Sequence, residues 1–363
     1  MTPAESLSCR RSDARDSAKI TETLFITVIM PVRNEVKWIE RTLTQLVTQK
    51  YDPERFEIIV VDGQSTDGTP ERVAKFVERH PNVRLYANPR RLGSAARNVA
   101  LRHARGDVVV IVDGHCELED NRYLAKLASA FDRSGADCIG RPQPLDIPGA
   151  TALQRAIAAA RSSWLGHHPD SYIYSSEEGF VPAKSVAVAY RRSVFEQVGT
   201  FDERFDACED VEMNHRIDRA GLRCFFTPEA VVHYTPRTTL GGLFRQLVRY
   251  GRGRVRLARK HPETFSVKSF LPALFLLGCL AGLVLMWVSS WLAVAYLSAS
   301  MIYGSILVAT SAVAAVRKGE LSILLWLPLV FVVVHTGSGA GEILELFRGP
   351  SRHLCRQAVQ TQT

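Results

Sequence analysis

The feature that most constrains this chain is a run of 47 residues, Phe270–Val316, without a single charged side chain. A helix needs about 20 apolar residues to cross the hydrocarbon core of a bilayer. The run is therefore long enough for two crossings, with Ser289 and Ser290 at the turn between them. A hairpin buried in a soluble core is the alternative, but its helices would be unusually long. We expect two crossings, and a third if the next apolar run, Leu321–His335, extends to Leu346.

Positive charge is concentrated beside this run. The chain has 45 Lys and Arg against 37 Asp and Glu, and residues 245–260 hold seven of these cations and no acid. Such a segment fits either a nucleic-acid surface or a collar that contacts anionic lipid. Because it adjoins the apolar run, we favour membrane lipid and expect no nucleic-acid partner. Cytoplasmic loops are usually the more basic ones. The collar and the pair Arg317 and Lys318 are therefore expected on the cytoplasmic face of the inner (plasma) membrane, although a third crossing would carry Arg348 outside.

The first 235 residues alternate between apolar strands and amphipathic helices. The predicted strands are 25–32, 56–63, 83–89 and 107–114, and the predicted helices are 35–50, 69–79 and 93–104. This alternation predicts an α/β fold with a mostly parallel sheet. Strands so uniformly apolar are buried on both faces, and ligands of such sheets bind beyond the carboxyl ends of the strands. Functional residues are therefore expected at that edge.

Polar residues follow three of these strands. They are Arg33, Glu35, Asp62, Asp67, Asp113 and His115, and Pro31 precedes the first of them near the end of its strand. Since parallel strands share one carboxyl edge, we expect these residues to converge on a single ligand. The sequence has no GxGxxG after the first strand and no GxxxxGKS, which argues against dinucleotide and P-loop sites.

Each cluster has a structural reading beside a functional one. Asp62 and Asp67 flank the turn GQSTDG, where such residues are common for turn chemistry alone; a carboxylate there also suits a base N–H or a ribose hydroxyl. Asp113 and His115 form either a solvated turn or a ligand pair for Mn²⁺ or Mg²⁺, and the imidazole favours Mn²⁺.

Two further features lie downstream. Glu209 and Asp210 precede a helical stretch, so they either complement the helix dipole or include a general base held at a helix start. His233 follows an apolar tripeptide and is either structural or able to reach the same metal ion.

Together these pieces resemble a known family. The motifs PVRNE, VVDGQSTDGT, GSAARNVALRHARGDVVVIVDGH, AYRRSVFEQVGTFDERF and CEDVEMNHRI occur in order across about residues 25–235. In order and spacing they are similar to the family-2 inverting glycosyltransferases with the GT-A fold. With the membrane region, the chain is most similar to glycosyltransferases of succinoglycan-type exopolysaccharide synthesis.

The resemblance implies a role for each matching residue. Those that would bind the nucleotide sugar are Pro31, Arg33, Glu35, Asp62, Asp67, Arg97, Asn98, Asp113 and Arg249. It makes Asp210 the catalytic base, with Glu209 beside it, and it implies a divalent cation, Mn²⁺ or Mg²⁺. Its ligands would be Asp113, His115 and His233, although DGH replaces the usual DxD. Gln246 and Tyr250 match the QxxRW motif at the acceptor, with Tyr for Trp.

These observations predict a membrane-anchored inverting glycosyltransferase. The donor would be a nucleotide-diphosphate sugar, most simply a UDP-sugar, and the acceptor a polyprenyl-linked saccharide or polysaccharide. Direct transfer to polyprenyl phosphate and an inactive membrane scaffold are the alternatives. The expected organisation is a tail (1–24), a GT-A domain (25–245), a basic juxtamembrane segment (246–268), transmembrane helices (269–346) and a second tail (347–363).

Overall fold

The computed structural model describes residues 24–166 and 171–348. The predicted tails therefore lie almost wholly outside the described residues. Contacts divide the described chain into two units. The first unit comprises the described residues of Met1–Ile147 and Asp170–Thr235, and the second comprises those of Pro148–Pro169 and Pro236–Thr363.

The first unit is built on an eight-stranded sheet with a separate two-stranded ribbon. The strands are β1 (Ile26–Val32), β2 (Phe56–Asp62), β3 (Val83–Ala87), β4 (Val108–Ile111), β5 (Cys116–Leu118), β6 (Cys138–Gly140), β7 (Gly179–Val181), β8 (Ala187–Arg191), β9 (Cys224–Phe226) and β10 (Val232–Tyr234). The sheet order is β3-β2-β1-β4-β8-β6-β9-β7, and β5 pairs with β10 in the ribbon. Strands β3, β2, β1 and β4 are parallel, whereas β8 is antiparallel to both of its neighbours. The predicted α/β fold with a mostly parallel sheet is confirmed.

Six helices flank these strands. They are α1 (Ile39–Val47), α2 (Thr69–Arg79), α3 (Gly93–His103), α4 (Tyr123–Ser134), α6 (Arg192–Val198) and α7 (Glu209–Arg219), while α5 (Ala152–Arg161) belongs to the second unit. Alternate residues of β1 enter two different hydrophobic clusters: Val28 and Met30 pack on one face, and Ile29 packs on the other. Full burial of such a side chain stabilises the fold by about 1.5–3 kcal/mol, so a central strand gains from apolar residues at every position.

Helix α1 begins four residues later than predicted. The backbone N–H groups of Asn34, Glu35 and Val36 donate to the side chains of Ser65, Thr69 and Asp67, respectively. These bonds hold residues 34–36 as a loop, and the helix starts only at Ile39. The prediction of a helix from Glu35 was wrong because helical periodicity does not reveal a neighbouring loop that binds the chain.

The second unit is helical. After α5 it contains α8 (Leu240–Lys260), α9 (Leu271–Leu285), α10 (Ser290–Lys318) and α11 (Ser322–Phe347), with short 3₁₀ turns at Pro262–Thr264 and Val267–Phe270. Among the described residues, three segments are long and apolar enough to cross a membrane: Val267–Leu285, Ser290–Lys318 and Ser322–Phe347. Helices α9 and α10 are separated by residues 286–289, so Ser289 lies in the turn as predicted, whereas Ser290 is already the first residue of α10. The predicted boundary between residues 245 and 246 falls inside α8.

Candidate functional site

Two loops follow the carboxyl ends of the central strands: the first loop is residues 33–38 after β1, and the second loop is residues 63–68 after β2. Hydrogen bonds join the two loops. Pro31 lies in β1 opposite Val61 of β2, two residues beyond Ile29, where the pairing of β1 with β4 ends. A proline lacks the N–H that a central strand would need, and this position is where the β4 partner has already ended. The strand can therefore turn outward at once into Arg33 and the loop that follows.

Asp62 and Asp67 hold the second loop. Asp62 is buried and accepts a hydrogen bond from the backbone N–H of Ser65 at 3.0 Å. Asp67 accepts from the N–H groups of Thr69 at 3.1 Å and of Val36 at 3.0 Å. Burial favours the neutral acid, but hydrogen bonds from Thr69 and Val36 outweigh it and lower the pKa of Asp67. Both carboxylates thus have a structural role, and their contact with a nucleotide stays a prediction.

The turn Asp113-Gly114-His115 packs against the first loop. A side chain at Gly114 would bring its Cβ within 2.9 Å of Val32 and 3.3 Å of Glu35, so only glycine fits. Nδ1 of His115 lies 3.0 Å from Oε1 of Glu35. A carboxylate at this distance needs a donor, which puts the proton on Nδ1 and the lone pair on Nε2.

His233 is oriented in a similar way. It lies in β10 opposite Glu117 of β5, two residues beyond His115. Its Nδ1 lies 2.8 Å from the backbone oxygen of Asp146 and 3.1 Å from a carboxylate oxygen of the same residue. The hydroxyl of Thr235 donates to the backbone oxygen of His115 at 3.0 Å, which joins the ribbon to the turn. Both predicted metal-ligating histidines therefore present Nε2 as the basic nitrogen.

Arg97 is the centre of a cluster of acids. It lies in α3, is buried, and forms an ion pair with Glu209 at the start of α7. Burial alone would lower the pKa of Arg97, but the carboxylates of Glu209, Asp113 and Asp210 together raise it. One buried cation thus interacts with an acid that follows a strand and with both acids that begin a helix.

The two acids of α7 differ in their surroundings. Burial raises the pKa of Glu209, Arg97 opposes that effect, and Asp210 and Asp113 add to it. Asp210 is exposed, and its carboxylate accepts the N–H of Val211 at 2.8 Å. Glu209 is therefore engaged by Arg97, whereas Asp210 presents a carboxylate to solvent at a helix start.

Asn98 contacts the chain that leads to these acids. Its amide donates to the backbone oxygen of Phe201 at 2.8 Å and to Glu203 at 2.9 Å, and it accepts from the N–H of Phe201 at 3.0 Å. A contact between Asn98 and a nucleotide would compete with these bonds. The sequence did not suggest this structural role.

Arg141 was missed by the sequence analysis. It follows β6, is fully buried, and donates to the hydroxyl of Tyr123 at 3.0 Å. Its guanidinium lies 5.9 Å from the ring centre of Tyr234. The rings of Tyr234 and His115 are in turn arranged edge to face, with their centres 6.1 Å apart. Nη2 of Arg141 has no hydrogen-bond partner in the described part of the chain. The sequence signal that could have indicated Arg141 is an arginine directly after an apolar strand, in the stretch CIGRPQ.

The remaining predicted residues lie in the second unit, on α8. Nε2 of Gln246 donates to the hydroxyl of Tyr250 at 2.9 Å, and Gln246 accepts from Arg237 at 3.1 Å. Arg249 is exposed. The match of these residues to an acceptor motif stays a prediction.

The predicted metal ligands do not form a closed cluster. Among the described residues of the first unit, no three donor atoms of His, Cys, Asp or Glu approach within 4.8 Å of one another. Mg²⁺ sites in enzymes that act on phosphates commonly use one or two protein ligands and take the rest from substrate and water. The predicted ligands could likewise leave coordination positions for substrate and water.

Comparison with known proteins decides the family. The pattern described as "Glycosyl transferase family 2" matches residues 27–199, and that described as "Glycosyl transferase family group 2" matches residues 118–334. The succinoglycan biosynthesis protein ExoA of Rhizobium meliloti is 31% identical over 263 residues, which are 70% of this chain and 76% of that protein. The chain belongs to glycosyltransferase family 2.

Two further proteins are similar to this chain. A dolichyl N-acetyl-alpha-D-glucosaminyl phosphate 3-beta-D-2,3-diacetamido-2,3-dideoxy-beta-D-glucuronosyltransferase of Methanococcus voltae is 26% identical over 65% of this chain and 74% of its own. The mannosyltransferase PcManGT of Pyrobaculum calidifontis, solved with GDP-Man and Mn²⁺, has a TM-score of 0.57 at 22% identity and covers 89% of this chain and 87% of its own. The predicted GT-A glycosyltransferase fold is confirmed, and the chain is a transferase.

Proposed function

We propose that this family-2 glycosyltransferase moves a sugar from a nucleotide-diphosphate sugar, most simply a UDP-sugar, to a lipid-linked or polysaccharide acceptor at a membrane. The observation that carries the proposal is the cluster around Arg97. It joins Asp113, the first acid of the predicted metal turn, to Glu209 and Asp210, the predicted catalytic pair. This cluster supports a single site in which Asp113 would act at the diphosphate and Asp210 at the acceptor hydroxyl.

The donor set fits a divalent cation. A carboxylate from Asp113 with Nε2 of His115 and of His233 offers oxygen and nitrogen ligands, which favours Mn²⁺ over Mg²⁺. Ligating histidines usually donate their second N–H to a carboxylate or a backbone carbonyl, and both do so here. A bound cation would neutralise charge that develops on the departing diphosphate. The mannosyltransferase PcManGT was solved in complex with GDP-Man and Mn²⁺, which supports a divalent cation in general.

Asp210 is the proposed base. It is the exposed acid of the pair, while Glu209 is paired with Arg97. A carboxylate fixed at a helix start can take the proton from an acceptor hydroxyl, which contributes about 10²–10⁴ in rate. A single displacement at the anomeric carbon inverts its configuration, by the same stereochemical logic as in inverting hydrolases.

The acceptor is proposed to be lipid-linked, with Arg249, Gln246 and Tyr250 contacting the acceptor and diphosphate. The apolar helices of the second unit would hold the enzyme at the cytoplasmic face of the plasma membrane. One relative is named for succinoglycan biosynthesis and another for transfer to a dolichyl-linked sugar phosphate, which supports an acceptor of this kind. Two or three crossings are few for a polysaccharide channel, so we expect single additions.

The test is an assay of the full chain in membranes. UDP-sugars and GDP-sugars would be screened with Mn²⁺ against a polyprenyl-diphosphate saccharide and against polyprenyl phosphate, and the product anomer would be compared with the donor. Asp210→Asn should lower kcat by about 10²–10⁴ with little change in KM for the donor. Asp206→Asn, at an acid just upstream, is the matched control. Wild-type turnover by Asp210→Asn, or retention of configuration, would contradict the mechanism.

A further inference from the structure

The last apolar helix is packed unlike the other two candidate spans. In α11, 39% of the most apolar window is buried within the protein, against 6% in the windows of Val267–Leu285 and of α10. Helices that cross a membrane also pack against one another, so this burial alone does not distinguish a crossing from another location. What covers α11 therefore decides where it lies.

The carboxyl-terminal half of α11 lies directly on α8. A Cβ at Gly341 would come within 2.2 Å of the backbone oxygen of Val248, and one at Gly251 within 2.2 Å of that of Ser338. Only glycine allows two helix backbones to approach this closely. The two helices are thus in direct backbone contact over this stretch.

Charged contacts fix the same end of α11 to α8. Glu345 accepts from Arg252 at 2.9 Å and from Arg256 at 2.8 Å. Arg259 donates to the backbone oxygens of Glu345 and Leu346 at 2.9 and 3.0 Å, where α11 has no further helical donors. An arginine or lysine at the centre of a bilayer costs about 2.5–3.5 kcal/mol even on the mildest scale. With seven such residues in 245–260, α8 cannot cross, and the end of α11 lies on the side of α8.

The amino-terminal end of α11 is fixed to α5. Glu320 accepts from Arg155 of α5 at 2.6 Å, and Ile323 and Leu327 belong to a buried cluster with residues of α5. The side chain of Gln154 in α5 donates to the backbone oxygen of Pro236 at 3.1 Å, four residues before α8 begins. Helix α5 therefore lies beside the start of α8, on the same side of any membrane.

Contacts with the start of α9 also put the carboxyl-terminal end of α11 on the side of α8. The N–H of Ala273, in the first turn of α9, donates to the buried carboxylate of Glu342 at 3.0 Å. A Cβ at Gly339 would come within 2.2 Å of the backbone oxygen of Pro272. The carboxyl-terminal end of α11 thus contacts the first turn of α9, which follows the basic segment, and not the far end of α9 at Leu285.

We propose that α11 does not cross the membrane but lies against α8 and α5 at the near leaflet, with its uncovered apolar face in the acyl chains. That face includes Leu321, Leu325, Leu329 and Val332, all exposed. Helix α10 of the same unit also exposes apolar side chains, such as Val313 and Val316, on the other side of the charged loop 317–320, which points to lipid as the occupant of both surfaces. The chain then crosses twice, through α9 and α10, and the end of α11 lies on the same side as α8.

This topology agrees with the distribution of charge. With two crossings, Arg348 lies on the same side as Arg317, Lys318 and the basic helix α8. The positive-inside tendency favours that arrangement over three crossings. The inference rests on the proposed attachment of this glycosyltransferase to a membrane.

Reporter fusions to the full chain test the topology. Alkaline phosphatase, active only outside the cytoplasm, and green fluorescent protein, fluorescent only within it, would each be fused after Thr363 and, as the matched control, inserted in the turn at Ser289. We expect fluorescence without phosphatase activity after Thr363 and the reverse at Ser289. Phosphatase activity after Thr363 with the protein in membranes would overturn the inference alone. Recovery of the chain in the soluble fraction would overturn the membrane attachment as well.

The lipid contact has its own test. Leu325 is 71% exposed, so Leu325→Cys should react with a lipid-soluble maleimide at least tenfold faster than with a charged, water-soluble one. Trp287→Cys, in the turn between α9 and α10, is the comparison and should react readily with the charged reagent from the far side. Rapid labelling of Leu325→Cys by the charged reagent would overturn the lipid contact. A disulfide-linked dimer of that variant would assign the face to a second copy.

Discussion

Glu35 orients one ring nitrogen of His115, as Asp146 orients one of His233. Such partners raise the basicity of the other ring nitrogen and hold the ring in place, and their removal commonly weakens metal binding 10–100-fold. The sequence assigned Glu35 to the nucleotide and His115 to the metal, and it did not predict that the two would pair. They are 80 residues apart, and only the glycine between Asp113 and His115 lets the turn approach Glu35.

Glu35→Gln should therefore weaken Mn²⁺ binding by about tenfold or more. The glutamine keeps an acceptor for Nδ1 of His115 but loses the negative charge that strengthens the bond. Mn²⁺ titrations of the full chain with UDP present, followed by electron paramagnetic resonance, would measure the change. Glu40→Gln, at an exposed acid that pairs only with Arg72 among the contacts described, should bind as wild type. An unchanged affinity in Glu35→Gln would exclude His115 as a ligand oriented by this carboxylate.

Arg141 shows why part of the site escapes sequence analysis. Its value lies in what surrounds it, namely the rings of Tyr123 and Tyr234 and the turn beyond them. These residues are separated by up to 111 positions, so no local pattern records their contact. Charged residues of the predicted site could be found because they follow strands of a recognisable fold. No local sequence pattern marks a buried arginine that is held by aromatic rings from distant parts of the chain.

At the scale of single elements, β1 and β2 are tied together by a buried acid. Glu57 pairs in register with Thr27, accepts from its hydroxyl at 2.7 Å and from the N–H of Arg105 at 2.7 Å, and forms ion pairs with Arg84 and Arg105. Burial alone would raise the pKa of Glu57, but its bonds to Arg105, Thr27 and Arg84 outweigh that effect and lower it. The carboxylate is thus ionised in the folded state.

Glu57→Gln should lower the free energy of unfolding by about 1.5–3 kcal/mol at neutral pH, the usual worth of hydrogen bonds to a charged group. A lowered pKa contributes stability above the unfolded value and loses it as the pH falls. The deficit of the variant should therefore shrink as the pH drops below the ordinary value of 4.5. Thermal unfolding of the full chain in detergent from pH 7 to pH 3.5 would measure it, with the exposed Glu54→Gln as control. A deficit that does not change with pH would contradict the assignment.

The α8–α11 contact gives a second prediction at this scale. Gly341→Ala would place a Cβ within 2.2 Å of the backbone oxygen of Val248, whereas a Cβ at Gly278 of α9 meets nothing within 4 Å. Because the neighbour at Gly341 is backbone and cannot rotate away, the helices must separate. Gly341→Ala should lower the Tm of the full chain by several degrees, and Gly278→Ala should leave it within about one degree or raise it through better helix propensity. Equal Tm values for both variants would argue against the close contact.

Secondary-structure elements could be predicted where a local sequence pattern determines them. The central strands and the helices after them were located within a few residues, because burial on both faces imposes an apolar run and helices impose a period. The start of α1 was misplaced because loop 34–36 is shaped by hydrogen bonds from residues 65–69. Likewise, the length and apolarity of α11 fit a crossing, and only its contacts reveal what lies beside it.

For the whole molecule, the fold explains how residues far apart in sequence can respond to one ligand. Asp113 follows a strand, Asp210 begins a helix, and Arg97 couples both through its charge. A diphosphate brings negative charge into a region that already holds several carboxylates. It should therefore bind well only together with a cation that offsets this charge, since like charges at short range repel strongly.

Ligand linkage tests that requirement on the full chain. A ligand at 100 times its Kd stabilises the folded state by about 2.7 kcal/mol, which raises the Tm of a domain of this size by several degrees. We expect UDP and Mn²⁺ together to raise the Tm by more than the sum of their separate effects. Asp113→Asn should remove the excess, because it takes away the carboxylate nearest the proposed cation, whereas Asp120→Asn, at an exposed acid that pairs with Lys126, should retain it. GDP in place of UDP distinguishes the base: an excess with GDP alone would change the proposed donor and leave the cation site intact. Additive effects with both nucleotides would mean that the cluster around Arg97 does not bind a diphosphate through a metal ion.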